Sequence, residues 1–188
     1  MNTGDVLAVI ELEDGAPSPL TGELIALART IAEGRGGSAI AVCLGSGLAD
    51  EIGADLVASG ADQVHLVSHD LFEPYQADAW LPDLAALSAE VEPAAILIPH
   101  TVVGADLAPR LAFRLGTWVA TGCVEADMNG DDIRFTRPCY GGVAREQISF
   151  RSAPAVATIK AKSFDPLPRD ESRDGQISVR DSVVTSDQ

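Results

Sequence analysis

Residues 94–116 read AAILIPHTVVGADLAPRLAFRLG. Ala94-Ala95-Ile96-Leu97-Ile98 is a short apolar run ending at Pro99, suited to a strand buried on both faces. His100 and Thr101 open a polar turn. Apolar residues then recur at helical spacing, which predicts a helix over 107–115 with Pro109 in its first turn, where proline is tolerated. The same alternation runs upstream. Val6-Leu7-Ala8-Val9-Ile10 is a buried strand, and Leu24, Ile25, Leu27, Ala28, Ile31 and Ala32 form one helical face that ends at Gly34-Arg35-Gly36-Gly37. Residues 38–44 form a second strand, followed by a helix through Ile52, Leu56 and Val57, a third strand over 63–68 and a helix over 77–91. Strand and helix in succession mean βαβ units and a mainly parallel sheet covered on both faces.

Past Gly116 the rhythm changes. Residues 119–128, 133–140, 147–150 and 155–160 are closely spaced β runs without helices between them, and Asn129-Gly130 is a hairpin signal. From Pro166 onward the chain is charged and polar. The expected fold class is α/β, a three-layer α/β/α arrangement with a mainly parallel central sheet plus a C-terminal β-hairpin-rich extension. Residues 1–165 form the domain, and 166–188 are expected to be a polar linker or tail.

The chain has 188 residues, which suits one such domain. Its 28 acidic against 13 basic residues give a net charge of −15, a surface that repels phosphate backbones and anionic lipid. No nucleic-acid partner is therefore expected. No apolar run approaches the ~20 residues of a membrane span, so no membrane insertion is expected either. Three cysteines (Cys43, Cys123, Cys139) without CxxC spacing indicate neither a disulfide framework nor a zinc knuckle, and suit a cytoplasmic setting.

Few residues suggest chemistry. His100 follows a strand at its carboxyl end, where open α/β sheets place ligands, and reads either as a general base or as a loop histidine bonded to backbone. Gly45-Ser46-Gly47 links strand to helix as a weak phosphate-loop candidate, without the third glycine of GxGxxG or the lysine of a P-loop; a tight turn is the alternative. No lysine or arginine is close in sequence to either turn. His65 and His69 lack the helical spacing of a zinc pair. Cys139 has no neighbouring histidine to support a nucleophile, and no triad or carboxylate pair emerges from spacing.

Three stretches together resemble a known family: 96–116, FTRPCYGG at 135–142 and VATIKAKSFD at 156–165. With VLAVIELEDG at 6–15 and GADQVHLV at 60–67, they are similar in order and spacing to the N-terminal domain of the electron transfer flavoprotein α-subunit. One departure is Tyr140-Gly141-Gly142-Val143-Ala144, where the family carries an asparagine in YAGNA. Family members also continue for about 120 further residues, a C-terminal domain that holds FAD, within ordinary domain sizes. The resemblance implies a scaffold domain, either a short subunit or part of a split one, that is no enzyme by itself. It implies a β-subunit-like partner, which often holds AMP, with FAD in the assembled complex but not on this chain alone. A separate flavin-domain chain or a dehydrogenase would complete the set. Arg110, Arg137, Pro138 and Tyr140 match family positions and are expected at the subunit interface, or as donors serving the domain's own fold. The alternative function is a stand-alone adenine-nucleotide-binding module of the adenine nucleotide α-hydrolase-like architecture, with Gly45, Ser46, Gly47 and His100 as its candidates.

Overall fold

The computed structural model describes residues 4–49 and 51–184. β1 (Val6–Ile10) leads through a small hairpin, β2 (Leu12–Glu13) and β3 (Ala16–Pro17), into α1 (Thr21–Gly34). β4 (Ala39–Gly45), α2 (Glu51–Ala58), β5 (Gln63–Ser68), α3 (Ala77–Val91), β6 (Ala95–Pro99) and α4 (Val102–Arg114) follow. Then come β7 (Val119–Cys123), β8 (Glu125–Asn129), β9 (Asp132–Cys139), β10 (Ala144–Ser149), β11 (Ala155–Ile159) and β12 (Gln176–Arg180).

Seven strands form the central sheet in the order β12-β5-β4-β1-β6-β11-β7, and every ladder in it is parallel. Strand residues alternate between two cores, as the period-2 pleat requires. Val6, Ala8 and Ile10 of β1 pack with Leu24, Ala28 and Ile31 of α1 and Leu56 of α2. Leu7 and Val9 pack with Leu84 and Leu87 of α3 and Leu107 and Leu111 of α4. The three-layer α/β/α reading holds. A three-stranded antiparallel sheet, β10-β9-β8, joins the α1 side through fully buried Phe135, whose ring meets Phe150 edge-on at 6.1 Å.

Three details differ from the sequence reading. α4 begins at Val102, not at 107, because the Thr101 hydroxyl accepts the Gly104 N–H at 3.0 Å and caps it there. Pro109 is therefore inside the helix. The carbonyl it leaves unpaired, that of Ala105, belongs to an exposed residue that water can reach. The β region is also less of a hairpin stack than expected, since β11 inserts between β6 and β7 and both join the main sheet. Finally, of the expected tail, residues 185–188 lie outside the described residues, and 166–184 is not simply a tail. β12 pairs with β5 along its whole length, the Gln176 N–H reaches the Asp62 carbonyl at 2.9 Å, and Arg180 pairs with Glu90. Most of the β12 side chains are exposed, as on an edge strand, so the backbone ladder holds it and the apolar pattern stays faint.

Gly104 fixes where α4 meets β6. A side-chain carbon there would stand 1.8 Å from the Pro99 carbonyl oxygen, so only glycine lets the first turn of the helix sit against the end of the strand.

Candidate functional site

The order of the sheet reverses at β1, with β4 on one side and β6 on the other, and ligands of open α/β sheets bind outside the carboxyl ends at such a point. A cleft of about 530 Å³ opens there. Gly45, Ser46 and Gly47 line it, together with Glu11, Asp14, Glu73 and the aromatic wall of Phe72, Tyr75 and Trp80. Ser46 Oγ donates to Asp70 at 3.3 Å, and Gly47 takes a left-handed φ of +59° with open space around it. The Thr101 hydroxyl donates to Glu11 at 2.8 Å. Burial raises the Glu11 carboxyl above its ordinary value against that hydrogen bond, and Glu13 adds to the rise. The Tyr75 hydroxyl donates to Asp106 at 3.0 Å, and burial with the neighbouring carboxylate raises it so that it stays protonated.

No lysine or arginine lines this cleft. A phosphate placed at Gly45-Ser46-Gly47 would face carboxylates, so the lining does not suit the diphosphate of FAD or the phosphate of AMP.

His100 stands at the same edge but outside the cleft. Its Nδ1 lies 2.9 Å from Thr158 Oγ1 on β11, and its ring adjoins Gly122 and Lys160. Burial, and then the positive charge of Lys160, hold its pKa below the ordinary value. Lys160 is far from His100 in sequence and enters only because β11 pairs with β6. The absence of a basic residue near this turn therefore holds along the sequence, not in space.

The expected interface residues fall in two places. Arg110 on α4 is exposed, and its Nε donates to Asp106 at 2.9 Å, joining the network of Tyr75. Arg137 on β9 donates to Glu146 at 2.7 Å across the β9–β10 pair and to Thr121 at 3.1 Å. Pro138 follows it half-buried, and Tyr140 stands in the turn after β9 at φ +50° with 87 % of its surface exposed. Four large apolar or aromatic side chains exposed to at least 81 % fall between 113 and 143: Phe113, Trp118, Tyr140 and Val143. Sequence reasoning named only Tyr140 of these. Glu11, Thr158 and Lys160 were also missed, although 160 and 162 hold both lysines of the chain.

The electron transfer flavoprotein domain family matches residues 6–184. The chain belongs to this family. The electron transfer flavoprotein subunit alpha of Bacillus subtilis (strain 168) is 31 % identical over 180 residues, covering 96 % of this chain and 54 % of that protein. Protein FixB of Azotobacter vinelandii is 29 % identical over 189 residues, covering 97 % of this chain and 52 % of that protein. The acryloyl-CoA reductase electron transfer subunit beta of Anaerotignum propionicum is 28 % identical over 181 residues, covering 83 % of this chain and 49 % of that protein. This electron transfer flavoprotein domain thus spans about half the length of the curated relatives it matches, and it is an α-like component. Among the described residues, no helix is long and apolar enough to cross a membrane, and no three His, Cys, Asp or Glu side chains gather as a metal site.

Proposed function

We propose that this electron transfer flavoprotein domain is the scaffold part of an α-subunit-like component that pairs with a β-subunit-like chain. The family match over residues 6–184 carries the reading, and the α-subunit and FixB relatives give it its side of the complex. The lining of the main cleft supports a scaffold role, since its carboxylates oppose a dinucleotide. FAD then belongs to another domain or chain of the assembly, AMP to the β-like partner, and this domain alone performs no catalysis. The electrons would come from a dehydrogenase that docks on the assembly.

Exposed Tyr140 and Val143 are the surface proposed for the partner, because exposed aromatics of this size anchor interfaces. Arg137 is bonded within its own domain by Glu146 and Thr121, so it shapes the hairpin that presents Tyr140. Co-expression with a β-like chain and light scattering on the purified material tests this. A stoichiometric heterodimer is expected, weakened by about 2 kcal/mol in Tyr140→Ala and less in Arg137→Ala. A monodisperse monomer in the presence of the partner overturns the pairing. Stoichiometric flavin absorbance on the isolated domain overturns the scaffold reading.

A further inference from the structure

β7 and β11 are paired with a bulge at their carboxyl ends. Ala157 faces Ala120 and Ile159 faces Cys123, so Thr121 and Gly122 together oppose Thr158. Bulges of this kind re-aim side chains and occur beside functional sites. Here Gly122 adopts φ +69°, a conformation that favours glycine. A side-chain carbon built on it would lie 3.4 Å from Lys160 Cε and 3.5 Å from His100 Nε2. The gap above Gly122 admits one added carbon in ordinary contact, and it is bordered by an ammonium stem and an imidazole edge.

The imidazole is held in place from below. Fully buried Thr158 accepts the Gly122 N–H at 2.8 Å, and its own hydroxyl lies 2.9 Å from His100 Nδ1. The fully buried hydroxyl has no other acceptor among the described residues, so beside the neutral ring it gives its proton to Nδ1, which leaves the ring proton on Nε2. That N–H then faces the gap beside Lys160. On protonation the ring donates through both nitrogens, and the Thr158 oxygen has a second lone pair to accept. The Lys160 ammonium forms no ion pair with any described residue. Arg137 adds a second fixed positive charge, beside that of Lys160, on the other bulge residue through Thr121, although Glu146 shares its guanidinium. Three basic groups around one dipeptide are exceptional in a chain of net charge −15.

We infer that His100 Nε2 and Lys160 Nζ above Gly122 form a binding site for a phosphate group. Several donors at one gap suit a multiply charged anion with three or more acceptor oxygens, and a carboxylate offers only two oxygens and a single charge. The site is distinct from the carboxylate-lined cleft at Gly45-Ser46-Gly47, and it does not depend on a β-like partner. The phosphate can be free or part of a nucleotide, and the donors recognise what the two share.

The test follows the His100 imidazole resonances by NMR as pyrophosphate, inorganic phosphate, adenosine diphosphate or acetate is added to the full chain. Pyrophosphate is expected to shift them saturably and to raise the His100 pKa, since a bound anion favours the charged ring. Lys160→Gln should weaken pyrophosphate about tenfold, the worth of one charge-assisted hydrogen bond. Its melting temperature should not move, because Lys160 is exposed. Gly122→Ser fills the gap and should also abolish the response. Should that variant fail to fold, Lys160→Gln still decides. A stronger response to adenosine diphosphate than to pyrophosphate assigns the phosphate to a nucleotide, and a weaker one assigns it to a free anion. An unchanged His100 pKa with pyrophosphate, an equal response to acetate, or full affinity in Lys160→Gln overturns the site.

Discussion

Replacing Gly104 by alanine tests the contact that seats α4 on β6, and the physics gives it an unusual sign. In an exposed helix, glycine to alanine stabilises by about 1 kcal/mol, because alanine loses less backbone entropy. At Gly104 the new methyl would begin 1.8 Å from the Pro99 carbonyl oxygen, 3.0 Å from its carbon and 3.1 Å from Ile98 Cγ2. The first two are backbone atoms of β6, a strand paired on both sides, so the helix must retreat by about 1.5 Å to restore a normal contact. Leu107, Ala108 and Leu111 are fully buried on the same helix, and retreat opens a gap beneath all three. Overpacking of this kind costs about 1–3 kcal/mol, and the upper part of that range applies because the obstacle is backbone. After the helix-propensity gain, a net loss of about 2 kcal/mol remains. In a chain of this length that lowers the melting temperature by about 4–8 °C, read by circular dichroism or calorimetry. Gly34→Ala is the control. Its methyl would lie 3.7 Å from Met128 Cγ, an ordinary contact, and should leave the melting temperature unchanged or slightly higher. A Gly104→Ala protein as stable as wild type refutes the claim that close approach fixes this residue.

Three further outcomes follow from the packing. Burial pushes the Cys43 and Cys123 thiols up to about 12, so at pH 8 a thiol reagent should label the folded chain only at half-exposed Cys139, as peptide mapping would show; modification of Cys43 before unfolding counts against this core. Burial, with Arg180 adding and Glu90 opposing, holds His65 below its ordinary value, so the unfolded chain takes that proton first. Its contribution is intact above about pH 6.5 and is lost as the pH falls toward the lower folded value, so His65→Gln should flatten part of the decline in melting temperature between pH 6.5 and 5; identical profiles reject it. Buried Asp83 accepts the Ser182 hydroxyl at 2.8 Å and the Val183 N–H at 3.0 Å, so Asp83→Ala should speed amide exchange at Val183 by about tenfold or more, corresponding to a loss of about 1–3 kcal/mol. Unchanged exchange there would mean that this contact does not hold the segment after β12.

The main α/β organisation was legible because each element carries its own period. Val6–Ile10 and Ala95–Pro99 are apolar throughout since both faces of a parallel strand are buried, and α1 shows its buried stripe in Leu24, Ala28 and Ile31. The family resemblance was legible for a related reason, as collinear local motifs survive without knowledge of contacts. β12 was not, because an edge strand is held by backbone pairing, which leaves little trace in Gln176-Ile177-Ser178-Val179-Arg180. The start of α4 was obscured by Pro109, whose unpaired partner carbonyl is harmless on an exposed helical face.

By itself, then, the sequence determined the layers, the parallel sheet and the family. These depend on periodicities of two and 3.6 residues and on short motifs, all local quantities. The tertiary structure alone decided the character of the carboxyl edge. Glu11, Asp14 and Glu73 surround Gly45-Ser46-Gly47 only after β1, β4 and the loop before α3 meet, and that meeting turns a phosphate-like turn into an acidic cleft. Lys160 joins His100 and Gly122 only through the pairing of β6, β11 and β7 and the bulge between the last two. Charges act through space over a few ångströms, and chain distance says nothing about which will be neighbours.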